Sequence, residues 1–261
     1  MPQYNKRYLR ILSRHPSHKP LRKKYGGLLC PELVLLRLGS ITQSKKKYQI
    51  NTIQGILNSS DKYLMKKCFD SKNIPTAMWY SGFKFKKELE SYIKFDSGNL
   101  EYPIVAKNRY GSRGKGNTYI DNISKFKNWM IGRDITNYIF EKYCSYAKEY
   151  RLHVTKYGCF YTNRKMLKSD AKERWYRNDS NSVWILDTNP LFTKPDSWDN
   201  IEKQCVAAIE CVGLDIGACD VKVSKNGNFI ILETNSAPSF GEITLQKYKE
   251  VIPKLILDLI K

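Results

Sequence analysis

The chain has 261 residues, 41% of them hydrophobic, and a formal net charge of +20 from 45 Lys and Arg against 25 Asp and Glu. That length and apolar content suffice for one large core or two small ones and exclude a disordered chain. No apolar run approaches the ~20 residues of a membrane span and the basic, polar N-terminus resembles no signal peptide, so a soluble protein of the cytoplasm is expected, the host's if the chain is viral.

The first 47 residues are the most basic stretch: Lys6, Arg7, Arg10, Arg14, Lys19, Arg22, Lys23, Lys24, Arg37, Lys45, Lys46 and Lys47 face only Glu32. Pro16, Pro20 and Gly26-Gly27 punctuate this stretch, so residues 1 to about 30 read as an irregular arm with one short helix at most. Its charge is either a solvated face or a patch that attracts a polyanion such as nucleic acid or an acidic polypeptide. Tyr4, Tyr8, Tyr25 and Tyr48 could stack on bases if that polyanion is a nucleic acid. Leu33 to Leu38 reads as a buried strand. Asp61 is a suitable N-cap for a helix whose apolar positions Leu64, Met65, Cys68 and Phe69 recur at three and four, ending before Asn73-Ile74-Pro75.

Pro103 to Lys107 reads as a short strand leading into a glycine-rich loop, Tyr110 to Asn117. Gly111, Gly114 and Gly116, with Ser112, Arg113 and Lys115 between them, let backbone amides and cations approach an anion; taken alone, an exposed basic turn explains them as well. The spacing fits neither a Walker loop nor a dinucleotide fingerprint. Thr118 to Ile120 is a strand, and Phe126, Trp129 and Met130 mark a helix stopped by Gly132. Lys107 at a strand end and Lys62 in a first helical turn, where the macrodipole disfavours a cation, both suit an anionic ligand.

Tyr138 to Cys144 follows as a strand, and Glu149 to Thr155 alternates strictly, with Tyr150, Leu152 and Val154 on a core face and Glu149, Arg151 and His153 on the other. A symmetric turn at Tyr157-Gly158 would set Arg151 opposite Arg164, two cations that want a counter-charge. Ser169 to Lys194 lacks periodicity and reads as a long functional loop. Trp198, Ile201, Cys205, Ala208, Ile209 and Val212 form a helical stripe ending at Gly213. A hairpin closed by Asn226-Gly227 comes next, then a helix interrupted near Pro253. A two-residue loop there pairs Val223 with Ile230, Val221 with Leu232, and Asp220 with Glu233. Directly opposed carboxylates repel, so they call for a cation or a shared proton between them, a metal site being favoured over a solvated hairpin with ordinary surface acids, and Asn235 points to the same face. These three oxygen donors suit Mg²⁺, with Mn²⁺ as an alternative. Seven cysteines (Cys30, Cys68, Cys144, Cys159, Cys205, Cys211, Cys219) form no CxxC pair and leave an odd one, which predicts reduced thiols. The elements together predict an α+β fold.

In this order, Lys62, Lys107 with its glycine loop, Glu141-Lys142-Tyr143, Glu149-Tyr150-Arg151, then Asp220, Glu233 and Asn235 resemble the ATP-grasp superfamily of carboxylate-amine ligases across about residues 50 to 241. The resemblance implies two α+β subdomains clasping ATP behind a shortened basic N-terminal region. The boundaries it suggests are 1–55 for that region, 56–145 for a small subdomain with a glycine-rich lid, and 146–261 for a large subdomain with the metal site. It further implies phosphate contacts from Lys62, Lys107 and the lid (Gly111, Ser112, Gly114, Gly116). Adenine would lie against the Glu141-Lys142-Tyr143 linker, and Glu149 would take the ribose hydroxyls. Asp220, Glu233 and Asn235 would hold the metal. D-alanine-D-alanine ligases carry an arginine two residues before the first metal acid, where this chain has Ala218, so Arg151 or Arg164 would take over its role on a phosphorylated intermediate.

The function so implied is ATP- and Mg²⁺-dependent amide formation through an acyl phosphate on a peptide-like or acidic substrate, with neither the carboxylate nor the amine named by the sequence. The pattern is closer to ligases that modify peptides and proteins, glutamate-adding enzymes included, than to cell-wall dipeptide synthesis. Two other readings stand beside it: a phosphotransferase to a hydroxyl on the same fold, and a basic nucleic-acid-binding protein with a degenerate nucleotide site.

Overall fold

The computed structural model describes residues 9–13, 15–25, 34–83, 101–112, 114, 116–178 and 180–260, and of 23–25 the backbone alone. Tyr4, Lys6, Arg7, Tyr8, Arg14, Gly26, Gly27, Cys30, Glu32, Leu33, Arg113 and Lys115 therefore lie outside the described residues.

The described part of the expected N-terminal arm instead contributes a strand and a helix to a sheet layer. Strands β1 (Leu9–Leu12), β2 (Val34–Arg37) and β3 (Tyr48–Ile50) pair in parallel in that order, with helix α1 (Lys19–Tyr25) between the first two. Leu9 and Ile11 alternate inward, a four-residue signal that the surrounding charges hide, and share a core with Leu21, Leu36 and the C-terminal helix residues Tyr248, Ile252 and Ile256. That helix, α6 (Glu242–Ile260), runs through Pro253 without the expected break. Its buried face (Val251, Ile252, Leu255, Ile256) compensates for the single backbone bond the proline removes.

Fully buried Asn51, at φ 62°, ties this sheet to the rest of the molecule. Its amide oxygen accepts from the Asp215 and Ile216 N–H groups at 2.8 and 3.1 Å, and its Nδ2 donates to the Arg37 and Ile216 carbonyls at 2.9 Å. His18 is a second tie: its Nδ1 meets Ser13 Oγ at 2.7 Å, its Nε2 meets the Pro238 carbonyl at 2.9 Å, and its ring lies 4.2 Å from that of Phe240. Because a carbonyl can only accept, Nε2 carries the proton and Nδ1 accepts from Ser13.

Burial lowers the His18 pKa to about 4, with His15 and Arg22 adding to the fall and the Pro238 bond opposing it. A folded value below the unfolded one means that the unfolded chain binds the extra proton. The stabilisation from neutral His18 is thus complete above about pH 6.5 and is lost as pH falls toward 4. Unfolding free energy in urea should therefore drop by up to about 3 kcal/mol across that window, and His18→Gln should flatten this part of the profile. An unchanged slope in the variant would mean that His18 is not the group being titrated.

The small sheet runs β4-β7-β5-β6, all antiparallel, from β4 (Trp79–Ser81), β5 (Ile104–Asn108), β6 (Thr118–Ile120) and β7 (Tyr138–Lys142). Helix α4 (Ile123–Met130), capped by Asn122, lays Phe126 onto Ile104, Ala106 and Phe140 and stops before Gly132 at φ 70°.

The large sheet runs β10-β9-β8-β11-β12, from β8 (Lys148–Thr155), β9 (Gly158–Leu167), β10 (Ser182–Leu186), β11 (Ile216–Val223) and β12 (Phe229–Asn235). Strand β10 interrupts the long loop expected over 169–194. Tyr150, Leu152 and Val154 fill one face as their alternation predicts, under helix α5 (Trp198–Val212), which ends at left-handed Gly213. Helices α2 (Ile53–Ser60) and α3 (Lys62–Ser71) bury Ile56, Met65 and Phe69 in the same core, so the segment carrying Lys62 is anchored to the large sheet. A Cβ on Gly55 would come within 2.0 Å of the Gly213 carbonyl oxygen, so only glycine lets α2 approach the end of α5 this closely. The six described cysteines are free thiols, and no helix among the described residues is long and apolar enough to cross a membrane.

Candidate active site

The β11–β12 hairpin brings its acids together by a route the sequence does not announce. Ser224 N–H donates to the Asn228 carbonyl, and Gly227 N–H to that of Ser224, so the loop holds three residues with Gly227 at φ 84°. Val223 pairs with Phe229 and Val221 with Ile231, each one residue off the expected partner. A bulge at Asp220/Val221, with Leu232 as the extra residue, restores the register, and Asp220 faces Glu233 as expected. The two offsets cancel. One consequence is that Ile231 enters the core, whereas Ile230 and Leu232, expected there, line the cleft. Asn235 Nδ2 lies 3.4 Å from both Asp220 Oδ2 and Glu233 Oε1.

Arg151 sits opposite Asp220 on the neighbouring strand, and its Nε and Nη2 donate to the two carboxylate oxygens at 2.6 and 2.8 Å. Burial disfavours the Asp220 anion, but Arg151 more than offsets it and holds its pKa below the usual carboxylate range. Arg164 is a correction. The β8–β9 turn is not symmetric about Tyr157-Gly158; Arg151 pairs with Asn163, and Arg164 pairs with Tyr150. A one-residue slip turns a side chain to the other face of the sheet, and Arg164 Nη1 donates to the Leu191 carbonyl at 2.5 Å, away from the cleft. Lys165, opposite Glu149, lines the cleft in its place. Trp184 of β10 lies against both cleft cations, its ring centre 4.9 Å from Arg151 Cζ and 5.0 Å from Lys165 Nζ.

Across the cleft, Asp61 caps α3 by accepting from Tyr63 N–H at 2.9 Å and also takes the Arg109 guanidinium on both oxygens. Lys62 N–H donates to the Arg109 carbonyl at 3.0 Å, and Lys62 Nζ donates to the Gly111 carbonyl. These bonds clamp the start of α3 to the glycine loop. Burial lowers the Lys62 pKa, and Glu233 opposes the fall. Lys107 Nζ stands 2.5 Å from Glu141 Oε2, and Lys66 Nζ stands 3.1 Å from Glu141 Oε1. Burial pushes the Glu141 carboxyl up, but the two ammoniums outweigh it and hold it at about 2. The Glu141 side chain, expected on the adenine linker, is thus spent on two lysines. The Lys142 ammonium pairs with Glu101, leaving backbone as its contribution to the cleft.

Glu149 is buried, which raises its pKa, with Lys222, Lys165 and Arg177 pulling the other way. Lys222 faces it in register, and burial lowers the Lys222 pKa to about 8. Tyr143 and Tyr119 meet edge to face at 5.2 Å, and Trp175 lies 5.7 Å from Tyr119.

One cleft of about 610 Å³ gathers these groups. It is lined by Lys62, Lys107, Gly111, Ser112, Gly114, Glu141, Lys142, Tyr143, Glu149, Arg151, Asp220, Glu233 and Asn235, whereas Gly116 and Arg164 of the expected set lie outside the lining. Sequence reasoning missed Lys165, Lys222 and Arg177, which line it too, and Lys66 behind it. Lys222 follows Asp220 by two on the same strand face and Lys66 follows Lys62 by four on the same helix face, so both were legible from periodicity. Arg177, in an aperiodic loop, gave no signal.

Among the described residues no three His, Cys, Asp or Glu side chains gather, so a divalent ion here depends on two acids and an amide. Asp220, Glu233 and Asn235 fit that demand: the opposed carboxylates supply charge, their free lone pairs remain beside Arg151, and a turn of the Asn235 amide brings its oxygen inward.

No protein-family model matches the chain, and no curated protein is similar to it in sequence. Solved structures are similar in fold. The N5-carboxyaminoimidazole synthetase of Staphylococcus aureus complexed with ADP is 19% identical, with 85% of this chain and 57% of that one covered at a TM-score of 0.60. The D-alanine–D-alanine ligase of Bacillus anthracis complexed with ATP is 12% identical, with 97% and 94% covered at 0.61. The biotin carboxylase of Campylobacter jejuni, in a β,γ-ATP complex, is 13% identical, with 87% and 54% covered at 0.61. The chain thus spans little more than half the length of two of these three enzymes. At these identities the likeness is one of architecture, and the architecture they share with this chain is the ATP-grasp fold.

Proposed function

We propose that the protein is an ATP- and Mg²⁺-dependent ligase that joins a carboxylate to an amine through an acyl phosphate, on a peptide-like or otherwise acidic substrate. The observation that carries this reading is the meeting, in one cleft, of Lys62 and Lys107 with the opposed pair Asp220 and Glu233. A carboxylate is a poor acyl donor and needs a leaving group, and a phosphoryl group supplies one. Lys62 and Lys107 would bind the transferred phosphoryl oxygens, and Arg151, held by Asp220, would orient the charged intermediate. Gly111, Ser112 and Gly114 would cover the phosphates and keep water from the acyl phosphate. Asp220, Glu233 and Asn235 would hold Mg²⁺ or Mn²⁺, which when bound neutralises charge on the β- and γ-phosphates. Glu149 would take the ribose, and the backbone of Lys142 and Tyr143 the adenine edge.

The nucleic-acid reading loses support among the described residues of its arm, since Leu9, Ile11 and Leu21 are buried in a core. Hydroxylamine separates the remaining two. With ATP, Mg²⁺, and glutamate or glutamate-rich peptides as trial carboxylates, ADP release accompanied by a hydroxamate is expected. ADP release with a stable phosphoester and no hydroxamate would replace the ligase by a phosphotransferase.

A further inference from the structure

The chain that carries Glu233 and Asn235 runs on into Ser236 to Ser239, and the cleft follows it into an end of different chemistry. The wall there is Ile41, Leu57, Ala237 and Pro238, with Ser60 and Ser239 beside them. Among the described residues, every Lys, Arg, Asp and Glu of the lining belongs instead to α3, to the two larger sheets or to the loop of Arg177. His15 adds no charge at this end. Its Nδ1 accepts from Ser17 N–H at 3.3 Å, so that nitrogen bears no proton and the ring is neutral.

This wall is held in place from several sides. Ser59 Oγ donates to the Thr234 carbonyl at 3.0 Å, which seats α2, and with it Leu57, against β12. Fully buried Arg37 donates to the Thr42 carbonyl at 2.5 Å and to Gln49 Oε1 at 2.9 Å, fixing the loop that carries Ile41. A Cβ on Gly39 would stand 2.8 Å from Ala237 Cβ, so the same loop packs directly on the segment after β12. His18 holds the Pro238 carbonyl, and Phe240 N–H donates to Ser17 Oγ at 2.9 Å. Ile41 and Leu57, so fixed, remain 53% and 38% exposed.

Amide formation needs the carboxylate near the cations and the amine in its neutral form, because an ammonium has no lone pair to give. An uncharged, aliphatic wall favours the neutral amine over the ammonium and gains by covering apolar surface. The same wall penalises a charged side chain, which would lose its water without finding a counter-charge.

We infer that this end of the cleft is the amine subsite, and that Ile41 and Leu57 select an amine carried on an apolar aminoacyl group over one carried on a charged group. This rests on the proposed reading that an acyl phosphate forms between the lysines and the hairpin acids, and it confines acidic character to the carboxylate partner. The amine nitrogen attacks the acyl carbon, the carbon–oxygen bond to phosphate breaks, and the departing phosphate takes the proton the nitrogen sheds.

Titration of the full chain with leucinamide, lysinamide and the α-amide of glutamic acid, followed by saturation-transfer NMR at about pH 8.5 where α-amines are mostly neutral, tests this. The three share one amine and one amide and differ in side-chain charge. Leucinamide should bind roughly ten- to a hundredfold more tightly than the other two. Leu57→Asp and Ile41→Asp, both at partly exposed positions, should each weaken leucinamide and strengthen lysinamide, bringing the two to within about threefold. No binding of leucinamide by the unaltered protein up to ~10 mM, no preference for it, or a preference unchanged in both variants would overturn the apolar subsite. Calorimetry with Mg-ATP on the same samples reports separately on the ligase reading: leucinamide selectivity without Mg-ATP binding would overturn that reading and leave the apolar site without its reaction.

Discussion

Glu141→Gln is expected to lower the unfolding free energy by about 3–5 kcal/mol, more than any other neutral isosteric change at the cleft. The carboxylate is buried between Lys107 at 2.5 Å and fully buried Lys66 at 3.1 Å. Losing its charge leaves fully buried Lys66 beside the Lys107 ammonium with no anion between them. The sign with pH follows from the same pair. The folded carboxyl titrates at about 2 and the free one at 4.5, so its contribution is complete above about pH 4.5 and is lost as pH falls toward 2. Lys66→Met should be much milder, because it leaves the Lys107–Glu141 pair intact. Urea unfolding of both variants at pH 7 measures the contrast. Equal losses would mean that the cluster acts through packing alone. Lys107 should also lose its position in Glu141→Gln, so nucleotide affinity should fall with stability.

The parts of the fold that were legible in the sequence are those where side-chain periodicity is locked to one face. Tyr150, Leu152 and Val154 on β8, and the Trp198 to Val212 stripe on α5, are buried as their spacing demands. What failed is register, because a strand's periodicity says which residues share a face and not where a turn closes. The hairpin placed Asp220 opposite Glu233 only because a longer loop and a bulge cancel. At Tyr157-Gly158 the turn closes two residues away from the expected register, a bulge at His153/Val154 recovers only one of them, and the remaining one-residue offset sent Arg164 to the wrong face. Charge density misled in a different way. The basic residues around Leu9 and Ile11 suggested an arm, although the chain's cations are carried outside a two-residue apolar stripe that pairs with β2. The ties that hold this segment, Asn51 to Asp215 and His18 to Pro238, join residues more than 160 positions apart, which no local pattern encodes.

Glu233→Gln should move stability and activity in opposite directions. Glu233 faces Asp220 across the hairpin, and like charges directly opposed destabilise a strand pair by about 0.2–1 kcal/mol. Neutralising one of them relieves that repulsion, so the unfolding free energy should hold or rise slightly. The same change removes one of the two carboxylates proposed for Mg²⁺, and nucleotide-dependent turnover should fall on the order of 10²–10³-fold, the usual effect of deleting one charge-stabilising group. Asp220→Asn provides the contrast. Arg151 donates to both Asp220 oxygens at 2.6 and 2.8 Å, so this variant strips a buried guanidinium of its counter-charge, and stability should fall together with activity. Urea unfolding alongside calorimetry with Mg-ATP distinguishes the two variants without knowledge of the acceptor. If Glu233→Gln bound Mg-ATP as tightly as the unaltered protein, the opposed acids would be a packing feature of the hairpin rather than a metal site.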